Sequence, residues 1–475
     1  MMSIAVITKL KDLLGHDRVH QDNELLAKRS TDTWPLKMVQ KAVGATTEQP
    51  LCVVQPKSTK EVATLLQFLN EENIPAVPYG GGSGVNGGSQ PNNESVIIDV
   101  GNMSDIVKLD EENLTVTTKP GIVHRDLENY LNEHGYISGH YPQSIDLAQI
   151  GGLVATRSSG QYSTKYGNIE DLVVGLEAVS PTGEIIRIKN VPRRSTGPDL
   201  RQLLIGSEGT LGIITEITIK IFPKPVDRWM CAYGIKSMRD GLRIIQTFMQ
   251  EGWSPAVVRL HDPLEAAKSY TGYLAEDESI LLILSEGPDG YAQVEGKAID
   301  KIIRDGGGRS VGEEPVELWL EHRNNTDELE EYTSQGIIVD TIEVAANWSD
   351  IATIYEKVTD RLKEEVSELL LVTGHSSHSY TQGTNMYFII GAFPSQDPKE
   401  MEQVYQSIWS KVMETTLEHN GTICHHHGIG KLRAPWMRQE LGSSYMMLKK
   451  LKQSMDPKGI MNPGKLLPKN DRGNE

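Results

Sequence analysis

The sequence predicts an α+β protein: a glycine-rich ligand-binding half, a proline-marked linker, and a second α+β half. Three observations carry this. Strand-like and helical segments alternate irregularly up to Ile221, as they do in α+β domains rather than in doubly wound ones. One predicted strand runs straight into Gly80 to Gly88, which holds six glycines. Phe222-Pro-Lys-Pro225 then places two prolines in four residues, ending the preceding strand.

The elements follow from local pattern. Met1 to Leu14 repeats Ile4, Ile7, Leu10 and Leu14 at helical spacing and reads as a short amphipathic helix, not a signal peptide. Leu51 to Val54 reads as a strand, after which Ser58 caps a helix with Glu61 as capping-box partner. Val62, Leu65, Leu66 and Leu69 are its apolar stripe. Strands are predicted over Ile74 to Val77, Ser95 to Val100 and Leu114 to Thr118. A helix follows through Val123, Leu127, Tyr130 and Leu131, then strands over Asp171 to Ser180, Ile185 to Lys189 and Ile213 to Ile221. Beyond the linker, strands at Ser279 to Leu284 and Met386 to Ala392 accompany helices over Asp350 to Leu371 and Pro398 to Glu418. The segment from about Gly421 is expected to return to the first half. The divisions are 1–45 (helical), 46–225 (ligand-binding), 226–414 (cap) and 415–475 (returning segment).

Composition narrows the function classes. At 475 residues with 38% hydrophobic content, the core needs no disulfide or metal staples. A net charge of −17 argues against nucleic acid, but a few buried arginines can still receive a small anion. Cys52, Cys231 and Cys424 form no Cys-x-x-Cys pair, which suits a reducing compartment. No apolar run approaches the ~18 residues that span a bilayer. The expectation is a cytoplasmic protein, with peripheral membrane contact open, acting on a small molecule as a homodimer.

Gly82-x-Gly84-x-x-Gly87 formally satisfies a dinucleotide fingerprint, with Asp99 downstream. That motif requires a helix opening at the glycines, and Ser89-Gln90-Pro91-Asn92-Asn93 is turn chemistry instead. What remains is either a flexible surface turn or a loop whose backbone N–H groups point at one anion. Gly206-Ser-Glu-Gly-Thr-Leu-Gly212 and Ile150-Gly-Gly-Leu-Val-Ala-Thr-Arg-Ser-Ser-Gly160 add two further glycine clusters.

Pro-Tyr-Gly-Gly-Gly, Gly-Gly, Tyr166-Gly-Asn-Ile-Glu-Asp171 and Gly-Ser-Glu-Gly-Thr-Leu-Gly occur in that order, and residues 45 to 225 resemble the vanillyl-alcohol-oxidase (PCMH-type) FAD-binding domain. The resemblance implies FAD between two α+β subdomains, its pyrophosphate on the 79–85 loop, and a cap domain with an antiparallel sheet. It implies FAD contacts from Tyr79, Gly80, Gly81, Gly82, Ser83, Gly84 and Val85, and from Gln143, Ser144, Ile145, Asp146, Leu147, Ala148 and Gln149. Gly151, Gly152, Thr156, Arg157, Ser158, Ser159, Tyr166 and Gly167 complete the middle of the set. Glu208, Gly209, Thr210, Leu211, Gly212, Ile213 and Ile214 close it. Some relatives attach flavin through a histidine in the glycine loop; this loop has none, so the FAD is expected to be non-covalent.

Cys424-His425-His426-His427-Gly-Ile-Gly-Lys431 reads as a metal site, a structural run or an acid–base cluster, since imidazoles titrate near neutrality. Adjacent histidines are not expected to face one ion, and no metal is predicted. His16 and His20 have i, i+4 spacing but lack the glutamate of a zinc protease. Asp456 to Gly464 reads as a turn docking the tail.

The histidine run, Pro192-Arg-Arg-Ser-Thr-Gly-Pro-Asp199, Pro255 to Leu260, Glu343 to Trp348 and Thr384 to Phe388 together resemble the alkylglycerone-phosphate synthase family. By position, the resemblance implies a catalytic tyrosine at Tyr387, essential histidines at His425, His426 and His427, and an essential arginine at Arg259. It implies chemistry at flavin N5 on a small hydroxy or keto substrate, including a phosphorylated acyl one. A tyrosine near its reference pKa of about 10 is a poor base at pH 7, so the histidine cluster or the flavin is expected to depress it. The alternative is an FAD-linked 2-hydroxy-acid dehydrogenase or sugar-alcohol oxidase. Those relatives carry Gly-Asp-Gly-Asn-x-His where this chain has Thr381 to Tyr387, and a glutamate before His-Gly. The synthase family's phosphate-binding arginine falls on Leu329, and Arg323 is the candidate to replace it.

Overall fold

The computed structural model describes residues 2–325 and 327–468, with the side chains of residues 2, 3 and 327–330 excepted; Leu329 as a side chain therefore lies outside the described residues. The N-terminal helix, Met2–Leu14, buries Val6, Ile7, Leu10 and Leu14, whereas Ile4 points to solvent. Val6 thus takes the place in the stripe that the spacing had given to Ile4. Gly15, at φ 95°, ends the helix, so His16 and His20 share no helical face, and His20 Nε2 lies 3.0 Å from Gln55 Oε1.

A small sheet comes next. Strands Cys52–Val54 and Ala76–Tyr79 both run parallel to Val96–Asp99, with Val19–His20 antiparallel at one edge. Helix Thr59–Glu71 makes the crossover. Ser58 Oγ accepts from Glu61 N, but the Glu61 carboxylate turns to Lys57 N (2.7 Å) and Arg18, completing half of the expected capping box. The next strand starts at Ala76, not Ile74, because Asn73 is left-handed (φ 56°) and Ile74 N bonds back to Leu69 O, closing the helix. Pro78 is tolerated because this strand lies at the sheet edge.

The second sheet has five antiparallel strands in the spatial order Ile106–Asp110, Thr115–Thr118, Ile213–Lys220, Val173–Val179 and Ile185–Ile188. Asp171 and Leu172 belong to the short helix Ile169–Leu172, which Asn168 caps reciprocally with Asp171, not to the strand.

Beyond the linker lies one seven-stranded antiparallel sheet. Its order is Arg309–Gly312, Asp227–Ile235, Ser279–Gly287, Val257–His261, Leu369–Ser376, Gly383–Ala392 and Ile338–Asn347. Pro398–Glu418 is helical as expected, its Asp397 cap accepting from Lys399 N and Glu400 N. The expected helix over 350–371 is instead a helix, Ile351–Glu365, followed by a strand, because Leu369 to Val372 is an apolar run that fits a strand equally well. Strand side chains alternate between faces. Val258, Leu260, Val344, Met386 and Phe388 pack into the helix-covered core, leaving Arg259, His261, Glu343 and Tyr387 on the other face. Among the described residues, no helix is long and apolar enough to cross a membrane.

The C-terminal segment docks on the first half at two places and on the cap sheet at a third. Ala76 N donates to Ile460 O and Asn462 N to Ala76 O, so the Asp456 to Gly464 turn docks on the edge strand. Glu208, buried, accepts Ile429 N (2.6 Å) and Gly430 N (2.7 Å), and burial lifts its carboxyl to about 6. Glu343, fully buried, accepts His426 N (3.0 Å) and His427 N (2.8 Å) and pairs with the Arg433 guanidinium.

Glu343→Leu leaves Arg433 buried without a counter-charge and is expected to cost about 3–5 kcal/mol, most of it recovered in Glu343→Leu/Arg433→Met. Urea unfolding of both variants measures this, and a single variant as stable as the double one would overturn it. Burial alone raises the Glu343 carboxyl, but Arg433 and His427 hold it well below its ordinary 4.5. Its stabilisation is therefore complete above pH 4.5 and is lost as pH falls further. The acid limb of unfolding is expected to be shallower in Glu343→Gln than in the parent chain, as read from urea midpoints across that range.

Candidate active site

The two glycine segments meet. A Cβ on Gly209 (φ 71°) would come within 2.6 Å of Pro78 Cγ, just before the 79–88 loop. No helix opens at that loop, which leads through turns to Val96–Asp99, and Asp99 is paired with Arg29 at 2.9 Å. Among the described residues, the backbone N–H groups of Gly80 to Gly87 have no protein acceptor, whereas Gly88 N donates to Asp32. A Cβ at Gly81 would fall 2.0 Å from Leu147 O, so the loop lies directly against the 143–149 segment. The buried Gln149 Oε1, Asn86 Oδ1 and Ser89 Oγ have no hydrogen-bond partner among the described residues. Unpaired amides along a glycine loop, with the Ser89 hydroxyl beside them, fit the pyrophosphate of FAD, whereas Gln149 Oε1 and Asn86 Oδ1 are acceptors and suit a donor group, not a phosphate.

Several residues assigned to the cofactor by resemblance have other engagements. Glu208 gives both carboxylate oxygens to the C-terminal segment. Tyr166 OH donates to Glu286 of the cap sheet (2.8 Å), Asp146 pairs with Arg125, and Arg157 with Glu170. Ser159 Oγ donates to Asn168 Oδ1 at 2.7 Å, and Ser158 Oγ lies 3.0 Å from His140 Nε2.

Register sets the other wall. His261 pairs with His375, His375 with Tyr387, and Tyr387 with Glu343. Directly opposed residues share a face, so four polar side chains form one row across four strands. The histidine run lies over this row. Tyr387 OH is 2.7 Å from His426 Nε2 and 3.1 Å from His427 Nε2. His426 Nδ1 is 2.8 Å from His425 Nδ1, and His425 Nε2 is 2.7 Å from Tyr380 OH. Neighbouring histidines therefore do turn nitrogens toward one another, contrary to expectation, because the Glu343 carboxylate gathers the backbone N–H groups of His426 and His427. Ligand atoms of His378, His425 and His426 lie within 4.8 Å of one another and could hold a cation, as could those of His261, Glu265 and His375.

Burial keeps this set neutral. It lowers His425 to about 4, and lowers His426 and His378 well below the usual imidazole range. Burial, then the Glu343 charge, raises the Tyr387 phenol far above its ordinary value. The surroundings supplied by the chain thus oppose the depressed tyrosine expected from sequence. Arg259 lies beside the row, its Nη2 3.0 Å from His375 Nε2. Arg323 donates to Gln161 Oε1 (2.6 Å) and stands over Tyr141 and Tyr162. Both arginines face the Trp319 ring, at 5.7 and 5.8 Å. Sequence reasoning did not single out Tyr380, Arg433, His261 or Glu265. The first two lie inside or beside the quoted motifs, and the last two acquire meaning only once the strand register brings His375 alongside.

Residues 50–189 match the FAD binding domain family, and residues 224–466 match the C-terminal domain of FAD linked oxidases. The chain is 39% identical to the uncharacterized FAD-linked oxidoreductase YgcU of Escherichia coli (strain K12), over 98% of each chain. It is 27% identical to alkyldihydroxyacetonephosphate synthase of Dictyostelium discoideum over 97% of this chain and 79% of that one. Identity to the glycolate oxidase subunit GlcD of Bacillus subtilis (strain 168) is 29%, over 89% and 90%. A solved alkyldihydroxyacetonephosphate synthase superposes with a TM-score of 0.80 at 23% identity, over 96% of this chain and 84% of that one, a likeness of fold. With its glycine cradle and the cap sheet facing it, the chain belongs to the FAD-linked oxidases of the PCMH-type fold and is an FAD-dependent, oxidoreductase-type enzyme.

Proposed function

We propose that the protein uses non-covalently held FAD to act on the hydroxyl- or keto-bearing carbon of a small anionic substrate, with Tyr387 and His426 as its acid–base pair. The observation that carries this reading is the Tyr387 hydroxyl lying within hydrogen-bond reach of both His426 Nε2 and His427 Nε2. FAD, when bound, supplies the electron-pair acceptor. At rest Tyr387 is protonated and His426 is a neutral imidazole, so the phenol donates to Nε2. A substrate proton taken by the Tyr387 oxygen leaves that oxygen with one proton too many unless its own passes to His426. His426 Nδ1 then lies against His425 Nδ1, which gives the charge a second imidazole on which to spread. Arg259, beside the same row, anchors the substrate's anionic group.

In the synthase-like form of this reading, an acyl group leaves, an alcohol enters, and no net oxidation occurs. Net dehydrogenation of a 2-hydroxy acid or sugar alcohol is the second reading. It is favoured by the leucine at the phosphate-arginine position and by the engagement of Arg323 with Gln161 and the aromatic rings. Anaerobic mixing with D-lactate, glycolate and an acyl dihydroxyacetone phosphate plus alcohol separates them. Loss of the flavin's visible absorbance with a hydroxy acid indicates dehydrogenation; alcohol-for-acyl exchange with the flavin left oxidised indicates the synthase reaction.

Tyr387→Phe is expected to lower turnover by about 10²- to 10⁴-fold while the bound-flavin spectrum is unchanged. Full turnover in that variant would remove Tyr387 from the acid–base role.

A further inference from the structure

A second polar cluster adjoins the acid–base set and has no part in it. His261 closes its strand, and Asp262 then caps the helix Pro263–Tyr270, its side chain accepting Glu265 N at 2.9 Å. This puts Glu265 one helical turn beyond His261, while the ladder sets His375 opposite His261. His261 Nδ1 is 2.8 Å from Glu265 Oε1, and His375 Nδ1 is 3.0 Å from Glu265 Oε2. On the far side of both rings stands Arg259, its Nε 3.0 Å from His261 Nε2 and its Nη2 3.0 Å from His375 Nε2.

One placement of protons satisfies all four bonds. A carboxylate only accepts, so each Nδ1 carries a hydrogen; a guanidinium only donates, so each Nε2 is bare. Both imidazoles are then neutral, in keeping with burial lowering His375 to about 4. A cation bound to both Nδ1 atoms and Glu265 would move each ring proton to Nε2, where it would oppose an Arg259 N–H. The proton arrangement therefore favours an arginine cradle over a metal site. Because imidazoles stand between the carboxylate and the guanidinium, Arg259 has no direct ion pair among the described residues, and its Nη1 makes no hydrogen bond there. The His375 ring also stacks on Tyr387, with centroids 4.6 Å apart and 18° between planes.

We propose that Glu265, His261 and His375 are positioning residues that hold Arg259 as an anion anchor free of any direct carboxylate contact, so that an oxyanion group of the substrate docks there with its reacting carbon near Tyr387. This rests on the reading of Arg259 as the substrate's anion site.

The test uses the full FAD-loaded chain titrated with oxalate and with inorganic phosphate, followed by the change in flavin absorbance. Arg259→Met is expected to abolish the response. His375→Phe and His261→Phe, which keep a ring but remove its nitrogens, are expected to weaken binding by about tenfold or more, the loss of a hydrogen bond to a charged group. His261→Gln, whose amide oxygen can reach the Nε2 position, is expected to recover most of the affinity, a split that a merely structural role would not produce. If Arg259→Met loses the response while both Phe variants bind like the parent, the cradle is wrong and the anion-site reading stands. If Arg259→Met binds normally, or the parent chain responds to neither anion, that reading falls and takes the cradle with it. Should His375→Phe fail to load FAD, the His261 pair decides the matter.

Discussion

Glu343 is a fully buried carboxylate whose oxygens accept the backbone N–H groups of His426 and His427 and pair with Arg433. A charge in that position is tolerable only when every lone pair is engaged, and the groups that engage it come from the end of the chain. That requirement pulls the histidine run over the cap sheet, opposite the Tyr387 strand. Glu208 does the same from the flavin half, accepting the two amides that follow the run. The histidines are therefore fixed by two carboxylates from two different domains, neither of which touches an imidazole nitrogen at normal hydrogen-bond distance. Either contact alone would leave one end of the run without a tether.

The same constraint explains why the acid–base set is uncharged. Half-burying Tyr387 and His425 to His427 between two domains limits the water that would stabilise imidazolium or phenolate, and burial is the largest cause of each shift. A neutral tyrosine bonded to a neutral imidazole can accept and pass a proton without first losing one to solvent. The tyrosine need not be ionised at rest, so the depressed pKa expected from sequence is not required.

Much of the fold was legible because its signals are local. The Pro398–Glu418 helix begins at an aspartate cap followed by proline, and the glycine loop excluded a helix by its turn residues. Ile74 and Leu369 to Leu371 were misplaced because an apolar residue beside a helix end, or an apolar run after one, has no period of its own. The site was legible in part. Tyr387 and the three histidines lie in motifs, but the row His261, His375, Tyr387, Glu343 is a product of strand register. Register between strands so distant in sequence is fixed by the whole sheet's packing, not by any one segment.

Glu343 with Arg433, and Glu265 with Arg259, sit at opposite ends of that row and are built from the same residue types. Their connectivity differs. Arg433 touches its carboxylate directly and is fully buried, so its charge is consumed in holding the chain together. Arg259 meets its carboxylate only through two neutral imidazoles, which orient the guanidinium without capping its outward donors. A chain of net charge −17 repels anions at long range, and screening confines that repulsion to about 8 Å at physiological salt. Within the site the balance is decided by which arginines are already paired, and in this row the unpaired one stands beside the ring stacked on Tyr387. In the proposed reading, anion recognition and proton transfer are set at a fixed spacing by one sheet, so the substrate's oxyanion and reacting carbon would span from the Arg259 strand to the Tyr387 strand across the one between them.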